Sequence, residues 1–201
     1  MIPLSIPKFL MNTVFIGTDN HVLTKGKDKM CGLINMSANK ADISIPKLKE
    51  LGKKLKLTIN DIVLTATSQA IKEYMKIAGD PLGTNDDAKI NILMPANIRY
   101  NGMYKTREEV QLENKFATLP MKIPLVPGMQ NSYSKITKVL APLKGSFPFV
   151  YASYAMTYWM SNLSPRVIPN VLMDTTSRNF TLAFSNTPGP IKKLVCKSSA
   201  G

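Results

Sequence analysis

Histidine, cysteine and acid are what this chain of 201 residues has least of: one His, two Cys, and 13 Asp+Glu against 26 Lys+Arg. With His21 as its single histidine, a histidine-based zinc site within the chain is excluded. Cys31 and Cys196 are too few for a disulfide framework and are not spaced as metal ligands. They read as small apolar fillers. Long hydrophobic runs are missing too. Residues 9–16 (FLMNTVFI) are apolar but short, with no charged stretch before them and no small-residue cleavage site after, so they are not a secretory signal. The longest uncharged stretch, 145–165, holds two prolines and three tyrosines and is too polar for a transmembrane helix. There is no repeat and no low-complexity linker.

What is present is basic charge on an otherwise ordinary globular composition, 44% hydrophobic and 19% charged, which excludes disordered and fibrous classes. A net charge of +13 admits nucleic acid, an anionic membrane surface or a phosphate-bearing small molecule as partner. The excess is unevenly placed. Residues 1–80 carry 12 Lys and 7 acids, 81–113 carry 4 basic and 5 acidic residues, and 114–201 carry 10 basic residues with Asp174 as the one acid. The densest cluster is Lys47, Lys49, Lys53, Lys54 and Lys56, which reads first as a solvated helix face. No C-x₂-C, RNP-like run or GxxG between strand and helix accompanies it, so no specific nucleic-acid partner is expected.

Local patterns predict a mixture of helices and strands in one α/β domain. Residues 30–38 read as a strand. Ser44 caps a helix over 45–57 with Ile45, Leu48, Leu51 and Leu55 as its apolar stripe; Lys47 stands where a capping-box acid belongs. Thr58-Ile-Asn-Asp61 is a capping signature for a second helix whose expected buried face is Ile59, Ile62, Val63, Ala66, Ala70, Tyr74 and Ile77. Gly79-Asp80-Pro81 stops it. Residues 89–94 form a short buried strand ending at Pro95, and 115–126 a strand or strand pair bent or held at an edge by Pro120 and Pro124. A helix over 130–140 ends before Pro142, and an apolar helix near 148–163 is either core or interdomain, or lies against lipid or acyl chain. Residues 179–184 alternate as a strand with Phe180, Leu182 and Phe184 on one face. They run into the rigid turn 185–190, and 191–197 would return as a further strand.

Three patches together resemble one family: LKELGKKLKLTINDIVLTATSQA (48–70), ILMPANIR (92–99) with Asn114 before a strand ending MKIPL, and FSNTPGP (184–190). In this order they are similar to the C-terminal half of the wax ester synthase/acyl-CoA:diacylglycerol acyltransferase family, over roughly residues 30–195. Glu113 stands where that family tends to have a glycine.

The resemblance implies a CoA-dependent acyltransferase-like fold (chloramphenicol acetyltransferase-like): half of a two-layer sandwich, a mixed sheet with helices on one side. Residues 1–29 would be a lead-in and 30–201 the domain proper. It also implies transfer of a fatty acyl group from acyl-CoA to diacylglycerol or a long-chain alcohol, with acyl-CoA as co-substrate, no cofactor and no metal. The family's catalytic base belongs to a His-His-x-x-x-Asp-Gly motif in the N-terminal half, which would be this chain's missing partner. Histidine suits the role because its pKa lies near neutrality. Asn20-His21-Val22-Leu23-Thr24-Lys25 does not match, so His21 is expected to be an ordinary surface or partly buried residue and no catalytic residue is assigned here. A non-catalytic, lipid-associated module of the same fold is the alternative.

Carried over position by position, the substrate-binding candidates are Asn60, Asp61, Arg99, Asn114, Ser185, Asn186 and Gly189. Most of them have a plainer role. Asp61 would complete the capping box, Arg99 would pair with a carboxylate instead of a CoA phosphate, and 185–190 would only fix a turn. An intracellular, peripheral membrane setting is implied (endoplasmic reticulum, plasma membrane or lipid droplet surface), with the basic surface serving CoA phosphates and anionic lipid.

Overall fold

The computed structural model describes residues 16–25, 36, 43–98, 115–145, 147–163, 165, 167, 170, 174 and 177–186. The strands expected at 30–38 and 191–197, both cysteines and the end of the turn at 185–190 fall outside them, apart from residue 36. The described elements are α1 (Ile45–Leu55), α2 (Ile59–Ile77), α3 (Pro81–Thr84), β1 (Lys89–Asn97), β2 (Phe116–Pro124), α4 (Met129–Gly145), α5 (Phe147–Leu163) and β3 (Leu182–Ala183). They make an α/β fold around a mixed sheet of order β2-β1-β3, antiparallel between β1 and β2 and parallel between β1 and β3.

Local chemistry sets the helix ends. Ser44 accepts from the Lys47 N–H, and Thr58 and Asp61 form the full capping box. The first helix stops two residues sooner than its pattern suggests. Lys56 adopts φ 55°, and Leu57 N–H then closes on the Gly52 carbonyl at 2.8 Å. That is a Schellman-type end with lysine in the place glycine favours.

β1 runs through Pro95 where an end was expected, and the ladder explains why. The carbonyls of Asn91 and Leu93 accept from Thr181 and Phe184, so odd-numbered residues of β1 turn their polar groups away from β2. Pro95 therefore lacks an N–H only on the side where β3 has already ended. Opposite Leu93 and Lys89, Pro120 and Pro124 likewise turn toward the outer edge of β2. One continuous edge strand results, not a strand pair. α4 similarly continues through Pro142, whose missing N–H interrupts one bond close to the helix end. β3 is shorter than the alternation predicts, because Phe180 N–H turns back to Ser177 and the Thr181 side chain is drawn into a polar network.

Ile90, Ile92 and Met94 of β1 and Met121 and Ile123 of β2 share one sheet face, covered by Leu64 and Met75 of α2 and by Ile136 and Leu140 of α4. α2 does not bury the stripe that periodicity suggests. Asp61, Leu64, Thr65, Ser68, Lys72 and Met75 face inward, while Ala66, Ala70, Tyr74 and Ile77 face out. The polar members fit because each has a partner in the framework. Ser68 Oγ donates to the Pro124 carbonyl (2.7 Å), Thr65 to the Asp61 carbonyl (2.6 Å), and Lys72 Nζ to the Asn85 carbonyl (2.9 Å) with Asp86 at 3.3 Å.

The apolar helix α5 is not core on its aromatic side. Among its described residues the small Ala152 and Ser153 are buried, and Ser153 Oγ donates to the Thr118 carbonyl on the outer edge of β2 (3.0 Å). The helix thus covers a sheet edge, leaving Tyr151, Tyr158 and Trp159 exposed at 51%, 55% and 62%.

Candidate functional site

The capping box puts Asn60 in the first turn of α2, exposed, with Asp61 buried beneath it. Asp61 Oδ2 accepts from the Thr58 N–H and the Thr58 hydroxyl, both at 2.7 Å. Its role in the described structure is therefore to lock the helix start. β3 runs parallel to β1, so the chain leaving it emerges at the carboxyl end of β1, the end where α2 begins. There Asn186 Nδ2 donates to Asn60 Oδ1, joining residues 126 positions apart. Ser185 lies exposed beside it.

The fold thus brings NDIVL and the start of SNTPGP together. Of the expected site residues, Asn60, Asp61, Ser185 and Asn186 converge on one end of the sheet. Arg99, Asn114 and Gly189 lie outside the described residues; the ladder toward the first two persists as far as Ile98 N–H donating to the Lys115 carbonyl. Chemically the cluster offers neutral carboxamide and hydroxyl donors close to a helix N-terminus, suited to polarising a carbonyl or binding an anion. It contains no histidine.

His21 is elsewhere and is more deeply placed than expected, at 2% exposure. Its Nε2 lies 2.9 Å from Thr181 Oγ1, and Thr181 in turn donates to Asp19 Oδ2. Since the threonine proton points to the carboxylate, the histidine hydrogen sits on Nε2, and Nδ1 accepts from Leu23 N–H at 3.3 Å. Thr181 stands five residues before Asn186 on a near-extended chain, roughly 15 Å away. The burial has a physical cause: both ring nitrogens are satisfied within the fold.

Around that histidine is a polar knot that periodicity does not reveal. Asn91, 3% exposed, donates its N–H to Asp19 Oδ2 (2.7 Å) and its carboxamide to the Gly17 and Asn179 carbonyls (both 2.9 Å). One sequence signal could have found it, an asparagine inside the otherwise apolar KINILM. Asp80 fixes the same segment from the other side, accepting from Val22 N–H (2.7 Å) and Leu82 N–H (2.9 Å). The Leu82 bond, reinforced by the Val22 bond and by nearby His21 and Lys25, holds its carboxyl below the usual range against the opposing effect of burial.

Among the described residues no three His, Cys, Asp or Glu side chains gather as a metal site, and no helix is long and apolar enough to cross a membrane. Two grooves of about 350 and 370 Å³ flank Asp86 and Pro127. The first is lined from α2 by Gln69, Lys72, Glu73 and Lys76, far along the helix from Asn60.

Fold and site together define an α/β domain that presents carboxamide and hydroxyl donors at one end of its sheet. Residues 112–199 match the family described as WS/DGAT C-terminal domain, a little under half of the chain. The match supports the family that the sequence patches resemble. The match takes in FSNTPGP; NDIVL and ILMPANIR precede it. No curated protein and no solved structure matches the chain.

Proposed function

We propose that this chain supplies one wall of an O-acyltransferase that moves a fatty acyl group from acyl-CoA to diacylglycerol or a long-chain alcohol, at an intracellular membrane or lipid-droplet surface. The observation that carries the reading is the family match over 112–199, within which Asn186 bonds to Asn60 of NDIVL. In this reading Asn60, Ser185 and Asn186 present donors to the thioester carbonyl. Arg99 meets a CoA phosphate, and Asn114 and Gly189 complete the wall. The base, a histidine of a facing half, removes the proton of the acceptor hydroxyl as its oxygen attacks the carbonyl, and returns a proton to the departing CoA thiolate.

A second reading, a lipid-associated module without activity of its own, draws on one observation: the chain's single histidine is spent on a buried network. One experiment separates them. The reading frame containing these residues is examined for His-His-x-x-x-Asp, and its full product is assayed for ester formation from a fatty acyl-CoA. An intact frame without that motif removes the enzyme reading.

A further inference from the structure

Among its described residues, α5 carries its large side chains on the side turned away from the sheet. Ala152 and Ser153, buried at 4% and 0%, mark the side that packs against β2 and α4. At about 100° per residue, Tyr151, Tyr154 and Tyr158 fall within an arc of roughly 60°, and the middle of that arc lies about 180° from the midpoint between Ala152 and Ser153. Successive tyrosine rings are tilted against each other with centroids 6.3 and 6.0 Å apart. Trp159 lies about 80° beyond Tyr151, toward Ala152, and is still 62% exposed. Asn162, also exposed, donates its carboxamide to the Tyr158 carbonyl at 2.7 Å. Residues 145–165 hold no charged side chain, and 115–173 hold six basic residues and no acid.

We infer that the outer face of α5 is a lipid-contacting surface, its tyrosine and tryptophan rings seated at the headgroup level of an anionic phospholipid leaflet. These rings have an apolar body and a polar tip, the form that settles where hydrocarbon gives way to water. At 17 residues the helix is about 25 Å long, shorter than a hydrocarbon core of roughly 30 Å, so it lies along the surface and does not cross it. The attraction comes from the elements beneath. β2 and α4, on which α5 packs, contribute Lys122, Lys135, Lys138 and Lys144 and no acid. A second copy of the chain fits this face less well. Tyr151, Tyr158 and Trp159, each exposed by about half, offer roughly 300 Å², so a symmetric pair would bury about 600 Å² against the roughly 1,200 Å² of a stable interface. The arrangement names the partner in the membrane setting proposed above and rests on it; the acyl-transfer chemistry does not depend on it.

The test uses the 201-residue chain, whose single tryptophan is Trp159 and so reports on this face directly. It is mixed with vesicles of phosphatidylcholine alone or with phosphatidylglycerol. Phosphatidylglycerol vesicles should shift the emission to shorter wavelength and lower acrylamide quenching at least about twofold. Co-sedimentation with them should weaken strongly between about 0.05 and 0.5 M salt, as the Debye length shortens. Tyr151→Ser/Tyr158→Ser keeps the reporter and should lower partitioning at least about tenfold by removing apolar contact. Tyr158→Ser alone should lose about half as much on a logarithmic scale. An unchanged far-UV spectrum and melting temperature verify the fold, and if the double variant melts lower the single variant decides. If wild type ignores anionic vesicles, the membrane setting fails and the inference with it, while the ester-forming assay judges the acyl-transfer reading separately. If wild type binds without any change at Trp159, or both variants bind as wild type does, the inference alone is overturned. Equal binding to phosphatidylcholine alone overturns the anionic leaflet as occupant. A concentration-dependent mass abolished by the double variant, without vesicle binding, would assign the face to self-association and also overturn it.

Discussion

Replacing Asp80 by alanine should loosen the clasp between the segment 16–25 and the α2–α3 corner. The side chain is 8% exposed and accepts two backbone hydrogen bonds, from Leu82 N–H at the start of α3 and from Val22 N–H across the fold. Losing the cap costs about 1 kcal/mol. Losing a charge-assisted bond and leaving the Val22 N–H without its carboxylate adds about 1.5–3 kcal/mol. Urea unfolding followed by far-UV circular dichroism at pH 7 should therefore show a loss of about 2.5–4 kcal/mol. Asp80→Asn, which keeps one acceptor oxygen, should lose about half as much. The pH dependence carries the sharper test. The carboxyl is depressed below its ordinary value of 3.8, so its stabilisation is fully present above that pH and is lost as pH falls through the lower folded value. The difference between wild type and Asp80→Ala should shrink as the medium is acidified below pH 3.8. A difference under about 0.5 kcal/mol at pH 7, or one unchanged in acid, would refute the argument that the ionised carboxylate holds this corner.

Gly83→Ala should destabilise by about 1–3 kcal/mol in the same assay, because its Cβ would sit 2.3 Å from Lys76 N and 2.6 Å from Lys76 Cα, backbone atoms that cannot step aside. Lys56→Gly should have the opposite sign, raising stability by about 1 kcal/mol, since glycine takes the left-handed conformation at φ 55° without strain. A double-mutant cycle on Asn60→Ala and Asn186→Ala should return a coupling of about 0.5–1 kcal/mol. Strict additivity would mean that the two motifs do not meet in solution.

Capping chemistry is where sequence and structure agree most closely, since Ser44, Thr58 and Asp61 act through neighbours three residues away. The two prolines of β2 were legible for the same reason: a missing N–H restricts a residue to an edge. What periodicity misjudged was decided by distant partners. The inner face of α2 contains Ser68 and Lys72, which count as polar on any scale, yet carbonyls at 124 and 85 accept their protons inside the fold. His21 and Asn91 became buried because Thr181, Asp19 and Asn179 complete their hydrogen bonds. In the apolar helix α5, the described residues that bury themselves against the sheet edge are the small Ala152 and Ser153. In the candidate site, Asp61 was legible as a cap. The meeting of Asn60 with Asn186 was reachable only through the family resemblance, because nothing local to either residue points across 126 positions.

The central claim is that these residues form an acyltransferase wall that lacks its own base. Its most direct measurement is ester formation from a fatty acyl-CoA and either diacylglycerol or a long-chain alcohol. It compares the full reading-frame product bearing His-His-x-x-x-Asp with the 201-residue chain alone. The account predicts product from the first and none from the second. Turnover by the 201-residue chain, or none by a folded full-length product carrying the motif, would contradict it.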